Sequence, residues 1–222
     1  MDLEAIELVT APDPRATVIV LHGLGADGND FVPVAHELDL AAVGPVRFVF
    51  PHAPTRPVTI NGGYVMRAWY DIFGFDSAQL REDEPGLRES QALVEALIAR
   101  EKARGIPARR IVLAGFSQGC AMTLMTGLRH DERIAGLVGL SGYLPLAAKS
   151  ESERHPANRE TPIFLAHGTA DPVIPIARAR QSRDVLVALG HPVEWHEYAM
   201  PHSVSPAEIH HLNRWLLGVL AS

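Results

Sequence analysis

Cysteine is almost absent from this sequence of 222 residues, and several other features are missing as well. Cys120 is the only cysteine, so no internal disulfide can form, and a disulfide-stapled secreted domain is excluded. No uncharged run reaches the roughly 20 residues that a membrane-spanning helix needs. The first residues, Met1 to Glu4, lack the basic and then apolar pattern of a signal peptide. We therefore expect a cytoplasmic protein with no transmembrane segment.

Basic residues are outnumbered by acidic ones, 20 against 26, which gives a net charge of −6. The arginines form no cluster along the chain, so the sequence is a poor candidate for nucleic-acid binding, and we expect no nucleic acid among its partners. With 47% hydrophobic and 21% charged residues, the composition is that of a folded globular chain and not of a disordered one. Its length fits a single domain over residues 1–222.

Short apolar or β-branched runs alternate with longer segments of helical period. The predicted strands are Ile6–Val9, Thr17–Leu21, Val46–Phe50, Ile111–Ala114, Leu137–Leu140, Ile163–Ala166 and Val193–Tyr198. Most central runs are apolar throughout, which is typical of parallel strands covered on both faces. The last predicted helix begins with a capping box, Ser205 to Glu208, followed by an apolar stripe. This alternation predicts an α/β fold with a mostly parallel central sheet flanked by helices.

The segment 51–85 interrupts this alternation. It has four prolines and little periodicity, yet it holds five of the aromatic residues, namely Tyr64, Trp69, Tyr70, Phe73 and Phe75. Long irregular connections in compact domains are usually functional or disordered, and the aromatic density argues against disorder. We therefore predict an insertion at about 51–85 that packs near the top of the sheet and lines a pocket.

The sequence Gly115-Phe116-Ser117-Gln118-Gly119 is the strongest chemical signal. It follows a predicted strand and opens a helical segment, which is the context of a nucleophile elbow. Such a turn exposes the serine hydroxyl beside a helix N-terminus, where developing negative charge is favoured. A glycine-rich turn that only connects two elements is the plainer alternative, and the flanking strand and helix make it the weaker one.

A serine nucleophile needs a base, and the base needs an orienting acid. Asp171 directly follows the strand Ile163–Ala166, and His202 follows Val193–Tyr198 just before the last helix. Both positions lie at carboxyl ends of predicted strands, where open parallel sheets place their sites. His202 is the one histidine downstream of Asp171 in a loop between a strand and a helix. We therefore predict a Ser117, Asp171 and His202 triad.

Acyl transfer also needs backbone donors for the oxyanion of the tetrahedral intermediate. The N–H of Gln118, directly after the serine, is one candidate, and the N–H of Leu24 in the loop after an early strand is the other. That loop, Gly23 to Gly28, also matches the G-x-G-x-x-G pattern of dinucleotide-binding turns. The acid expected at the end of the next strand is missing, because that strand ends in Pro51-His52. The nucleotide-binding alternative is therefore weak.

Five motifs occur together and in order: Leu21-His22-Gly23-Leu24-Gly25, Arg67-Ala68-Trp69-Tyr70-Asp71, Gly115 to Gly119, Ser141-Gly142-Tyr143-Leu144-Pro145, and His167-Gly168 through Asp171. With this set the chain resembles the phospholipase/carboxylesterase family of α/β-hydrolases, which includes bacterial carboxylesterases and acyl-protein thioesterases. The resemblance implies the same triad and oxyanion donors, and it implies that Trp69 lines the acyl pocket as a substrate-binding residue. Cys120 departs from the glycine of many members, and we assign it no redox role.

The prediction is a serine carboxylic-ester hydrolase that works through an acyl-enzyme intermediate on short to medium acyl esters. No metal or cofactor is needed. An acyl-protein thioesterase or a lysophospholipase is the alternative within this class, and the sequence alone does not separate them. A non-catalytic α/β binding module is the alternative from another class, although such a module has no physical need of all three triad residues. The partner is a small ester or thioester, and the resemblance is compatible with a homodimer.

Overall fold

The apolar runs form a seven-stranded sheet in the computed structural model, which describes residues 3–74 and 81–221. The strands of this sheet are β1 (Ala5–Val9), β2 (Ala16–Leu21), β3 (Val46–Pro51), β6 (Ile111–Phe116), β7 (Gly136–Leu140), β8 (Ile163–Gly168) and β9 (Val193–Tyr198). Every strand predicted from the sequence is therefore confirmed, with small differences at the ends. A separate hairpin is formed by β4 (Thr55–Val58) and β5 (Tyr64–Arg67).

The sheet has the order β1-β3-β2-β6-β7-β8-β9. All neighbouring strands run parallel except β1, which pairs antiparallel with β3 at one edge. The carboxyl ends of β2, β6, β7, β8 and β9 therefore meet at one edge of the sheet, where loops from distant parts of the chain come together. The expected α/β fold with a mostly parallel central sheet is confirmed.

Helices cover both faces of the sheet. They are α1 (Val32–Glu37), α2 (Glu84–Ala103), α3 (Gln118–Arg129), α4 (Ser150–Glu153), α5 (Ile176–Ala188) and α6 (Pro206–Leu220). Single 3₁₀ turns lie at Ala41–Val43, Thr59–Asn61, Ala108–Arg110, Ala147–Lys149 and Pro156–Asn158. None of the helices in the part of the chain that the structure describes is long and apolar enough to cross a membrane.

The strands are apolar throughout because successive side chains enter two different cores. In β2, Ile19 and Leu21 pack with α2 and α3, while Val18 and Val20 pack with α1 and α6 on the opposite face. All of these side chains are buried. Burial on both faces makes the central strands the rigid base on which the loops at the carboxyl edge are positioned.

The last helix, α6, begins as the sequence predicts. The Oγ atom of Ser205 accepts a hydrogen bond from the N–H of Glu208, and the Glu208 carboxylate accepts one from the N–H of Ser205, both at 3.2 Å. This reciprocal cap fixes the point where the chain leaves the loop after β9. The loop that carries His202 is therefore anchored at its end.

The irregular segment 51–85 contains the β4–β5 hairpin, which its sequence does not indicate because Pro57 and the absence of alternation hide the short strands. Its aromatic residues separate into different environments. Tyr64 is 69% exposed at the hairpin, whereas Trp69 and Tyr70 are buried in the core. Phe75, the last of the five aromatic residues, lies outside the described residues.

Candidate active site

Ser117 lies in the sharp turn between β6 and α3. Its φ of 56° and ψ of −115° place a non-glycine residue in a region that L-amino acids rarely adopt. The turn is tight because backbones cross closely around it: a Cβ on Gly119 would lie 2.0 Å from the carbonyl oxygen of Leu21, and one on Gly115 would lie 2.2 Å from that of Gly119. These two glycines are therefore required, and the geometry is that of a nucleophile elbow.

A chain of hydrogen bonds connects Ser117, His202 and Asp171. The Nε2 atom of His202 lies 2.9 Å from the Oγ of Ser117, and its Nδ1 lies 2.6 Å from Oδ2 of Asp171. A carboxylate accepts hydrogen bonds, so Nδ1 carries the proton and Nε2 is left to accept from the serine hydroxyl. The structure thus brings together the three residues that the sequence singles out, from loops after three different strands.

The Asp171 carboxylate is fully buried and held from two sides. Its Oδ1 accepts hydrogen bonds from the N–H groups of Val173 and Ile174, at 2.8 and 2.9 Å. These bonds leave Oδ2 facing the imidazole of His202. The ring of Phe116 lies 4.7 Å from the imidazole, centroid to centroid, and restricts its rotation.

His167 supports the same carboxylate, although the sequence analysis assigns it no role. Its side chain is fully buried, and its Nε2 lies 2.8 Å from the carbonyl oxygen of Ile174 and 3.4 Å from Oδ2 of Asp171. Burial lowers the pKa of His167, so the ring is neutral and donates through Nε2–H. Its position directly at the end of β8 is the sequence signal that could have marked it.

The two candidate oxyanion donors, the N–H groups of Leu24 and Gln118, have no acceptor among residues 3–74 and 81–221. Gln118 is the first residue of α3, where backbone N–H groups have no partner within the helix and the helix dipole favours negative charge. Gly23 packs against this turn, because a Cβ on it would lie 3.4 Å from the Cβ of Ser117. Both loops therefore border the serine.

His22 braces the loop that carries Leu24. Its Nδ1 lies 2.7 Å from the carbonyl oxygen of Gly23, and its Nε2 accepts a hydrogen bond of 3.0 Å from the N–H of Ala53. Burial lowers the pKa of His22, which keeps the ring neutral and fits one donating and one accepting nitrogen. The sequence marks His22 by its place directly after β2, as it marks His167 after β8.

The same loop does not have the form of a dinucleotide-binding turn. Helix α1 begins only at Val32, so Gly28 does not open a helix whose N-terminus could face a pyrophosphate. The N–H of Gly28 donates to His52 instead, at 3.1 Å, and a Cβ on this glycine would lie 2.4 Å from the carbonyl oxygen of Phe50. The backbone is packed onto β3 where a nucleotide would need to approach.

The environment of Trp69 differs from that of a residue lining the acyl pocket, which the resemblance implies. Its side chain is fully buried, with 0% of the residue exposed, and its indole N–H donates to the carbonyl oxygen of His22 at 2.9 Å. Its backbone N–H donates to Oε1 of Gln118 at 2.8 Å. The residue thus contacts the backbone of the loop that carries Leu24 instead of bordering an open cleft, and its role as a substrate-binding residue stays a prediction.

Tyr70 and Tyr143 form a pair beside the start of α3. Their hydroxyl oxygens lie 2.8 Å apart, and burial raises the pKa of both phenols, so both stay protonated. The guanidinium carbon of Arg178 lies 3.4 Å from the centroid of the Tyr143 ring, a cation–π contact. Cys120 packs directly below, and burial raises the pKa of its thiol to about 12, so the thiolate is strongly disfavoured.

A cavity of about 280 Å³ lies next to Arg178 at this edge of the sheet. Its lining comes from the loop after β7 and from α5, with Glu82 from the segment before α2; the lining residues are Glu82, Leu144, Ala147, Arg178, Gln181, Ser182 and Val185. Four of these seven side chains are polar or charged, and none belongs to the hydrogen-bonded series around Ser117 or to the two donor residues.

The described part of the chain contains one group of residues with the spacing of metal ligands, His130, Asp131 and Glu132. One possible ligand atom of each residue lies within 4.8 Å of the others. They follow the C-terminal end of α3, whereas Ser117 precedes its N-terminus. His130 already contacts Glu95 at 2.6 Å, and Glu132 forms an ion pair with Lys102. The group is part of surface ion pairs and does not adjoin the candidate site.

Curated relatives of this sequence include fungal proteins named acyl-protein thioesterase 1. The chain is 42% identical over 216 residues to an acyl-protein thioesterase 1 of Yarrowia lipolytica, covering 96% of this chain and 95% of that protein. It is 43% identical over 202 residues to an acyl-protein thioesterase 1 of Neurospora crassa, covering 87% and 82%.

Two solved plant structures are similar to this chain over nearly its whole length. Arabidopsis thaliana SOBER1 superposes with a TM-score of 0.87 at 30% identity, over 93% of this chain and 99% of that one. Zea mays acyl-protein thioesterase 2 superposes with a TM-score of 0.83 at 29% identity, over 97% and 99%. The family described as phospholipase/carboxylesterase matches residues 4–219. The chain therefore belongs to the phospholipase/carboxylesterase family and is an ester-hydrolysing enzyme with the α/β-hydrolase fold.

Proposed function

We propose that this chain is a serine hydrolase that cleaves acyl thioesters and carboxylic esters through an acyl-enzyme intermediate. The proposal includes a single domain over residues 1–222, with 51–85 as its insertion. The observation that carries it is the hydrogen-bonded series from Ser117 through His202 to Asp171. The N–H groups of Leu24 and Gln118, which have no acceptor among residues 3–74 and 81–221, are the oxyanion donors in this proposal.

Acylation begins when the Oγ of Ser117 attacks the substrate carbonyl carbon and its proton passes to Nε2 of His202. The carbonyl electron pair moves onto oxygen, and this oxyanion accepts hydrogen bonds from the N–H groups of Leu24 and Gln118. Asp171 keeps the imidazole in the required tautomer and stabilises the imidazolium that forms. When the tetrahedral intermediate collapses, the alcohol or thiol leaves with the proton of His202, and the acyl group stays on Ser117.

Deacylation repeats these steps with water. His202 accepts a proton from the water, whose oxygen attacks the acyl carbon, and then returns that proton to Ser117 as the carboxylic acid leaves. The proton transfer between Ser117 and His202 is supported by their distance of 2.9 Å, which is a hydrogen-bond distance. The proposed reaction needs no metal or cofactor.

Thioesters are the substrate class that we favour. A thiol has a pKa of about 8.5, far below that of an alcohol, so a thiolate leaves readily even when protonation by His202 is incomplete. The names of the fungal relatives, acyl-protein thioesterase 1, support this substrate for a chain that covers 95% and 82% of those proteins. They support the thioesterase alternative more strongly than the simple carboxylesterase that the sequence analysis puts first.

The acyl chain stays a prediction of short to medium length. Lysophospholipids as substrates, the cytoplasmic location and the homodimer also stay predictions.

The test uses pairs of substrates that differ in one atom. Thioesters of N-acetylcysteamine and oxygen esters of N-acetylethanolamine, each with the same acyl chain, are compared for acyl groups from acetyl to palmitoyl. We expect kcat/KM to be higher for the sulfur member of each pair, with an optimum at short to medium chains. A lysophosphatidylcholine is assayed in parallel.

Ser117→Ala is the control for this series. It should lower turnover by about 10⁴–10⁶ on every substrate, because the nucleophile is lost while the rest of the site stays. Faster cleavage of the oxygen esters at all chain lengths would contradict the thioesterase proposal. Equal rates in wild type and variant would contradict the assignment of Ser117.

A further inference from the structure

We propose that Trp69 is a positioning residue that holds the two oxyanion donors at a fixed distance from each other. The inference rests on the proposed function, because it concerns the site in which the oxyanion forms. This role differs from lining the acyl pocket. The inference follows from four contacts that Trp69 makes while it is completely buried.

The side chain of Trp69 contacts the loop that carries Leu24. Its indole N–H donates to the carbonyl oxygen of His22 at 2.9 Å, two residues before the Leu24 donor. The indole and the imidazole of His22 also pack against each other, with ring centroids 5.5 Å apart. Because both rings are buried, the peptide that precedes Gly23 has little freedom to rotate.

The backbone of Trp69 contacts the other donor residue. Its N–H donates to Oε1 of Gln118 at 2.8 Å, and Nε2 of Gln118 donates in return to the carbonyl oxygen of Tyr70 at 2.6 Å. Both ends of one amide are therefore bound to adjacent residues of a single segment. Gln118 itself supplies the second oxyanion donor through its backbone N–H, so this clamp acts directly on the turn that carries it.

The segment around Trp69 is in turn fixed from outside. Ser90 of α2 donates a hydrogen bond to the carbonyl oxygen of Trp69, and the carbonyl oxygen of Arg67 accepts one from the N–H of Gly25 at 2.9 Å. Trp69 thus links the loop after β2, the start of α3 and α2. It is the single residue whose hydrogen bonds reach both donor-bearing loops within the described ranges 3–74 and 81–221.

Donors held in advance at the position of the developing charge lower the barrier, because no reorganisation is needed when the charge appears. The interaction is realised in the transition state more than in the ground state, so its loss should affect kcat more than substrate binding. Trp69 reaches the substrate only through Leu24 and Gln118. A change at Trp69 should therefore weaken the binding of an oxyanion specifically.

The experiment compares Trp69→Phe with wild type on two inhibitors of equal chain length. A trifluoromethyl ketone accepts the Oγ of Ser117 at its carbonyl carbon, the serine proton passes to His202, and the carbonyl oxygen becomes an oxyanion. The corresponding methyl ketone binds without this addition. We expect Trp69→Phe to lower kcat and to raise the trifluoromethyl ketone inhibition constant by the same factor, about 10–100-fold, with the methyl ketone constant unchanged.

Trp215→Phe is the matched control. Trp215 lies in the core on the other face of the sheet, and its ring centroid is 5.9 Å from that of Phe164. The variant therefore makes the same side-chain change at a position without contact to either donor loop. We expect it to lower thermal stability and to leave both inhibition constants unchanged. The control separates a loss of packing from a loss of oxyanion binding.

Gln118→Met provides a second variant if Trp69→Phe does not fold. It keeps the side-chain length and the backbone donor but removes both amide hydrogen bonds, and it should give the same selective loss of trifluoromethyl ketone binding. Equal weakening of both ketones would assign Trp69 to the substrate pocket and overturn the inference, as would unchanged constants in both variants. Ser117→Ala is assayed alongside, since full activity in that variant would overturn the proposed function itself.

Discussion

The Nε2 atom of His167 lies 3.4 Å from Oδ2 of Asp171, the same carboxylate oxygen that His202 contacts at 2.6 Å. A second, neutral imidazole thus shares the acid of the proposed triad from the buried side. Its stronger contact, 2.8 Å to the carbonyl oxygen of Ile174, closes the turn that begins at Asp171. The position of the acid is therefore set by a residue that does not touch the serine.

We expect His167→Phe to lower kcat/KM about tenfold and to move the acidic limb of its pH profile to higher pH. Phe keeps the ring but removes the N–H, so the carboxylate of Asp171 loses a nearby donor and holds a protonated His202 more strongly. The measurement is kcat/KM against pH for wild type and variant. A lower rate with an unshifted profile would mean that His167 only packs.

Gly119→Ala should abolish most of the activity, because a Cβ at this position would lie 2.0 Å from the carbonyl oxygen of Leu21 and would force the turn at Ser117 apart. We expect kcat to fall by about 10² or more, as when an oxyanion donor is removed. Gly218→Ala is the control: among the described residues outside its own helical turn, no atom lies within 4 Å of a Cβ at this position, and the change should stabilise α6 by about 0.5–1 kcal/mol. Equal kcat in the two variants would contradict this account of the turn.

The capping box of α6 should make stability depend on pH. Burial raises the pKa of Glu208 from its ordinary value of 4.5 to about 7. The folded chain therefore keeps a proton between these pH values that the unfolded chain has lost, and the free energy of unfolding falls as pH rises from about 4.5 to about 7. Glu208→Gln removes this titration. The difference in the free energy of unfolding, variant minus wild type, should therefore be about 1–3 kcal/mol larger at pH 8 than at pH 4.

Chemical denaturation at the two pH values measures this gain. Glu151→Gln, at an exposed position of α4, is the matched control and should follow wild type at both. If the difference between Glu208→Gln and wild type were the same at both pH values, the carboxyl of Glu208 would titrate alike in the folded and unfolded chain.

The strands and the order of the site residues could be predicted because each is set by a local pattern. Apolar runs such as Ile163–Ala166 give strands that are covered on both faces, and Asp171 follows this run. His202 follows the less buried strand Val193–Tyr198. A parallel sheet then brings the ends of these runs to one edge. That topology brings the three loops together, and the distances of 2.6 and 2.9 Å in the series then depend on local contacts of Asp171 and His202.

The environments of Trp69, His22 and His167 could not be predicted, because each depends on contacts between distant parts of the chain. The bonds of Trp69 reach residues 47 and 49 positions away along the chain, and nothing near it in the sequence marks these partners. A histidine after a strand has the same local pattern whether it serves as a base or supports a neighbouring loop. Only the hydrogen-bond partners of each histidine in the folded structure distinguish these two roles.

The most direct test of the account is the mass of the enzyme during turnover. Wild type and Ser117→Ala are mixed with a decanoyl thioester and quenched in acid within the first turnover, and peptides covering the whole chain, including the one with position 117, are analysed by mass spectrometry. The account predicts a decanoyl adduct on Ser117 in wild type and none in the variant, together with the loss of turnover. An adduct on another residue, or a variant that hydrolyses the thioester at the wild-type rate, would contradict it.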